Sequence, residues 1–103
     1  MKLGETQRKY TKMVAELILF AYSLGYEMTF GAAYELTGHH PNSNHKRRLA
    51  VDLNLFKNGV WLEKGHDMEV GHGLLHDKWD SMGGAKRIWN DLNHYSMEWQ
   101  GMR

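Results

Sequence analysis

The chain has no cysteine, a single proline and no long apolar run. Without cysteine there is neither a disulfide framework nor a thiolate metal site, so any bound zinc must use histidine and carboxylate ligands. The one proline, Pro41, sits among Gly38, Asn42, Ser43 and Asn44, and residues 35–44 have the composition of a loop. The longest apolar stretch, Leu17 to Tyr22, is far too short to cross a bilayer. The opening MKLGETQRKY lacks the apolar core of a secretory signal. These absences predict no membrane insertion and no signal peptide. The expected location is the cytoplasm of the producing cell, with any external substrate reached only after release. Excess charge is also missing: the net charge of +1 gives no footprint for nucleic acid.

What is present fits one small globular domain over residues 1–103, expected as a monomer. Hydrophobic residues make up 42% and charged residues 24% of 103 positions. A domain of this size gains from a bound metal, and seven histidines direct attention to metal chemistry.

Tyr10, Met13, Val14, Leu17, Ile18, Ala21 and Leu24 recur at helical spacing, predicting an amphipathic helix over 5–24 that stops at Gly25. Residues 26–34 alternate loosely, as in a first strand. Residues 48–56 give the clearest strand: Leu49, Val51, Leu53 and Leu55 share one face, and Ala50, Asp52, Asn54 and Phe56 the other. The aliphatic face should pack on the first helix, leaving Asp52 on the more polar side. Asn58-Gly59 reads as a tight hairpin turn into Val60-Trp61-Leu62. Val70, Leu74, Leu75 and Trp79 predict a second helix over 68–82, weakened by Gly71 and Gly73 and ended by Gly83-Gly84. Residues 91–99 should begin as a turn and finish as a strand. The expected fold class is α+β, a small antiparallel β-sheet backed by helices, with a zinc site on the open face of the sheet.

A metal site can be assembled from this pattern. His45 and Asp52 lie seven residues apart, which would separate their backbones by roughly 23 Å if extended. Two donors on one zinc stand only about 3–4 Å apart, so the chain must curl through Lys46-Arg47. His94 is the preferred third ligand, leaving a fourth position for water. Asp91, three residues earlier, can face the same way across a turn and serve as acid/base. Spacing alone does not single out these four from seven histidines and twelve acidic residues.

The run Ser43-x-His45-x-x-Arg48-Leu49-Ala50-x-Asp52-Leu53, followed by Asp91-x-x-His94-Tyr95, resembles the D-Ala-D-Ala carboxypeptidase family of zinc peptidases. It is most similar to the bacteriophage endolysin branch, which cleaves the L-alanyl-D-glutamate bond of peptidoglycan. Gly25-Tyr26-Glu27, Gly31-Ala32-Ala33-Tyr34 and residues 53–59 also resemble that branch, so the likeness spans roughly 13–99. It implies that His45, Asp52 and His94 hold Zn2+, that Asp91 is the catalytic acid/base, and that the partner is the bacterial peptidoglycan stem peptide. Zinc-bound water would attack the scissile carbonyl. Ser43 and Arg48 are the candidate substrate-binding residues, Arg48 for a substrate carboxylate. Departures from the pattern bear on specificity: Glu35 stands where phage relatives often carry Arg, the loop before Ser43 is short, Ser96 replaces a frequent acid, and Met82-Gly83-Gly84 is a reduced aromatic-glycine run.

Other groupings are open to plainer readings. His66, His72 and His76 form a rival cluster, with His72 and His76 at i,i+4, but no acid lies between them as in HExxH. They are read as surface histidines. His39-His40 is read as a solvated pair or groove lining, and Glu98 as the understudy to Asp91. Trp61, Trp79, Trp89 and Trp99 are read first as core residues and second as platforms for sugar rings. Two alternatives accompany the endolysin reading: a D-Ala-D-Ala carboxypeptidase on the same scaffold, and a non-catalytic zinc- or cell-wall-binding module.

Overall fold

The computed structural model describes residues 2–31 and 47–100. Its elements run α1 (Leu3–Ser23), β1 (Glu27–Phe30), β2 (Ala50–Lys57), β3 (Val60–Trp61), α2 (His66–Ser81) and β4 (His94–Ser96). This is the expected α+β class, a small antiparallel sheet with two helices.

The helix α1 buries Tyr10, Met13, Leu17 and Ala21 along one stripe, as its 3.6-residue spacing requires. It ends at Gly25, whose φ of 89° is the left-handed conformation that glycine adopts without steric cost. The Tyr26 amide then reaches back to the Ala21 carbonyl (3.1 Å) and the Gly25 amide to Tyr22 (3.1 Å), closing the last turn in a Schellman arrangement.

The central strand is β2. Leu49, Val51, Leu53 and Leu55 are buried together with the α1 stripe, Leu75 and Trp79 of α2, and Tyr95 of β4. Alternation places Asp52 and Asn54 on the opposite, half-buried face. Asn58 and Gly59 carry positive φ of 52° and 75°, the geometry of a two-residue type I′ hairpin turn.

Both β3 and β4 lie along the same edge of β2. Leu53 donates to the Asn93 carbonyl (2.9 Å) and Leu55 accepts from Leu62 (2.8 Å); residues two apart in a strand direct their backbone groups to one edge. The other edge belongs to β1, with Gly31 donating to Asp52 (2.7 Å). β4 covers Ala50–Asp52 and β3 covers Phe56–Lys57, so the edge is broken between them.

The second helix corrects one expectation. Val70 and Leu74 are exposed, whereas His72, Leu75, His76 and Trp79 are buried. Those four positions are i, i+3, i+4 and i+7, the true inward stripe. Gly71 also lies inside: a Cβ there would come within 2.5 Å of Leu55 Cδ2 and 3.3 Å of the Tyr26 ring, so its bare backbone allows α2 to approach the sheet.

Candidate metal centre

Asp52 and His94 are direct cross-strand partners in the β2–β4 ladder. Ladder bonds flank them at Leu53–Asn93 (2.9 Å) and Met97–Leu49 (3.0 Å). By the two-residue alternation, Asp52–His94 is therefore a non-hydrogen-bonded pair, the kind whose side chains stand closer together. Asp52 Oδ1 and His94 Nδ1 lie 3.4 Å apart. Asp91 joins them because the His94 amide donates to the Asp91 carbonyl (3.1 Å), closing a four-residue turn. Its Oδ2 stands 3.9 Å from His94 Nδ1.

The donor atoms of Asp52, Asp91 and His94 all lie within 4.8 Å of one another, and the three side chains could hold a metal ion. The spacing tests this. Metal–ligand bonds of about 2.0–2.1 Å at tetrahedral angles put donors roughly 3.3 Å apart. The Asp52–His94 separation matches that edge and is longer than a good charge-assisted hydrogen bond. A nitrogen and carboxylate oxygens form a donor set suited to zinc. His94 and Asp52 are largely shielded, at 8% and 19% exposure, while Asp91 is 49% exposed. The group is thus shielded on the Asp52–His94 side and open on the Asp91 side.

The structure thus brings together three of the four residues expected at the centre. His45 lies outside the described residues, as do Ser43, Glu35 and the His39-His40 pair. Arg48 is an exposed residue with φ 58°, one position before the buried Leu49 that leads into β2. Arg47 is held at the start of the described segment, its carbonyl accepting from Gln7 Nε2 (2.7 Å) and its guanidinium 5.6 Å over the Trp99 ring.

His72 and His76 are not surface residues, because α2 turns them into the core. His76 Nε2 bonds the Leu92 carbonyl (2.7 Å), inside the turn between Asp91 and His94. Its ring stacks on Tyr95 at 4.2 Å and 14°. His72 Nδ1 bonds the Tyr95 hydroxyl (2.6 Å), and Trp79 Nε1 donates to the Ser96 carbonyl (2.8 Å). From α1, the Tyr10 hydroxyl donates to the Tyr95 carbonyl (3.0 Å). Every one of these bonds ends on the segment carrying Asp91 and His94, so the helices fix its position against β2. The missed signal was the spacing 72, 75, 76, 79, which is a core stripe with histidine at two of its positions.

Burial sets the protonation of this network. It pushes His72 down to about 4, with His76 adding a smaller effect. Burial also lowers His76, against the opposing bond to Leu92. The Tyr95 hydroxyl is raised well above its ordinary range by burial, and Tyr10 likewise by burial and then by the Asp52 charge. Both imidazoles are neutral and both phenols protonated near pH 7.

Next to Asp91, a cleft of about 370 Å³ opens at the break between β3 and β4. Trp61 and Trp89 line it and are 48% and 77% exposed, so these two are not core residues; Trp79 is fully buried. Among the described residues, no helix is long and apolar enough to cross a membrane. Comparison of the chain with family models, curated proteins and solved structures gives no match.

Proposed function

We propose that the chain is a zinc-dependent peptidoglycan peptidase that hydrolyses the L-alanyl-D-glutamate bond of the stem peptide. The observation that carries this reading is the convergence of Asp52, His94 and Asp91, from two separate motifs on facing strands and a turn. Asp52 Oδ1 and His94 Nδ1 hold the ion, and His45, which lies outside the described residues, is the third ligand. When bound, zinc supplies Lewis acidity, polarising a peptide carbonyl and making water easier to deprotonate.

The remaining chemistry belongs to Asp91. Its Oδ2, half exposed and 3.9 Å from the ligand nitrogen, accepts the proton of the attacking water. It then gives that proton to the departing amine nitrogen, so one carboxylate serves both halves of the reaction. His76 holds Asp91 in register through the Leu92 carbonyl. Arg48 is assigned to a substrate carboxylate, and Ser43 is the second substrate-binding residue.

The test is digestion of purified cell walls, followed by mass analysis of the fragments. New amino termini on D-glutamate, abolished by chelator and by Asp91→Ala, are the expected result. Release of D-alanine instead identifies a carboxypeptidase. One zinc per chain without cleavage identifies a binding module, and no bound zinc overturns the metal assignment.

A further inference from the structure

We propose that the cleft beside Asp91 is a subsite for an N-acetylated amino sugar, so that the enzyme grips the glycan next to the bond it cuts. This rests on the peptidase reading, because the alanine of an L-alanyl-D-glutamate bond is joined on its other side to N-acetylmuramic acid.

A polar side chain lies at the floor of the cleft. His72 lines it while being only 1% exposed. Tyr95 is fully buried, and its hydroxyl lies 2.6 Å from His72 Nδ1, within hydrogen-bond distance. A buried hydroxyl needs an acceptor for its proton, so Nδ1 accepts and the neutral ring carries its hydrogen on Nε2. That N–H is the polar atom His72 has left to offer a ligand.

The walls say which acceptor fits. Glu63 and Asp91 are the charged side chains lining the cleft, and both are acidic. They oppose a carboxylate and thereby exclude the D-glutamate side of the substrate. The acceptor is therefore neutral, as an acetamido carbonyl is. Asn54 and Asn93 add amide donors and acceptors. Trp61 and Trp89 supply exposed indole faces on which the C–H face of a pyranose can lie. Arg87 covers one face of Trp89 at 5.6 Å, which leaves the other for a ligand. A volume of about 370 Å³ accommodates one such ring with its acetyl group.

The experiment follows the indole N–H signals of the metal-free protein by NMR during titration with N-acetylglucosamine, with glucose, with N-acetylmuramoyl-L-alanyl-D-isoglutamine and with the dipeptide L-alanyl-D-isoglutamine. N-acetylglucosamine should move the Trp61 and Trp89 signals and leave Trp79 in place. Glucose should bind about tenfold more weakly, as should the dipeptide relative to its muramyl form, for the loss of one good hydrogen bond and its packing. Trp61→Ala, on an exposed side chain, should weaken the acetylated sugar by about tenfold as well. The proposal is overturned if no sugar moves the two indoles, or if the dipeptide alone moves them as strongly as its muramyl form. Sugar binding without cleavage by the zinc-loaded protein removes the peptidase reading and leaves the subsite. Cleavage indifferent to the sugar does the reverse.

Discussion

Asp52 and His94 face each other across the β2–β4 ladder with Oδ1 and Nδ1 3.4 Å apart, the separation of two ligands on one ion. Removing either donor should abolish tight binding. Losing an outer-sphere partner already weakens a site by about 10–100-fold, so Asp52→Ala or His94→Ala should cost more than a hundredfold in zinc affinity. Metal content after dialysis checks this, with one zinc per chain expected in the unaltered protein. Retention of zinc by both variants would place the site elsewhere.

Asp91 is expected to behave differently. As acid/base, Asp91→Asn should keep the bound zinc and lower kcat by about 10²–10⁴-fold. If the same change removes the metal, Asp91 is a ligand and the proton carrier must be sought in another residue, with Glu98 the first to examine.

Much of this geometry was legible in the sequence, because it follows from local periodicity. The alternation of Leu49, Val51, Leu53 and Leu55 identified β2 and put Asp52 on the half-buried face. Asn58-Gly59 marked the hairpin. What period and turn chemistry could not supply was the inward stripe of α2. Val70 and Leu74 are more apolar than His72 and His76, yet they face outward. The histidines are buried because each meets a polar partner supplied by a segment 16 or 23 residues away, the Leu92 carbonyl and the Tyr95 hydroxyl. Such non-local satisfaction of polar groups has no local signature.

The link between His76 and Leu92 should be measurable in its own right. His76→Phe preserves the stacking on Tyr95 but leaves the Leu92 carbonyl without its side-chain donor. The expected cost is about 1–3 kcal/mol in denaturant unfolding, together with reduced activity because the Asp91–His94 turn loses its anchor. Unchanged stability would show that the carbonyl finds water instead.

Acid should destabilise the metal-free protein through the two buried histidines, His72 and His76. Folded His72 takes up a proton only near pH 4, whereas an unfolded histidine does so near the ordinary value of 6.5. Between these values the unfolded chain binds the extra proton, so stability is full above about pH 6.5, falls as the pH drops toward 4 and levels off below that. For His72 alone the loss reaches about 3 kcal/mol, and the lowered His76 acts in the same direction. Urea midpoints at pH 7.5, 6 and 5 in the presence of chelator test this, and a midpoint constant over that range contradicts it.

Two glycines of α2 should respond in opposite directions to the same substitution. Both lie inside a helix, where alanine is intrinsically favoured over glycine by roughly 1 kcal/mol. At Gly73 a Cβ meets nothing within 4 Å, so Gly73→Ala should stabilise by about 0.5–1 kcal/mol. At Gly71 the new carbon would sit 2.5 Å from Leu55 Cδ2 and 3.3 Å from the Tyr26 ring. Leu55 is fully buried in the middle of the core and cannot swing away freely, so the overpacking cost of about 1–3 kcal/mol outweighs the helical gain. Gly71→Ala should therefore lower the thermal midpoint while Gly73→Ala raises it. Because Met68 and His72 of this helix line the cleft, a helix pushed off the sheet by Gly71→Ala should also weaken binding there. Equal stabilisation by both substitutions would mean that α2 does not approach β2 as closely as its bare Gly71 backbone implies.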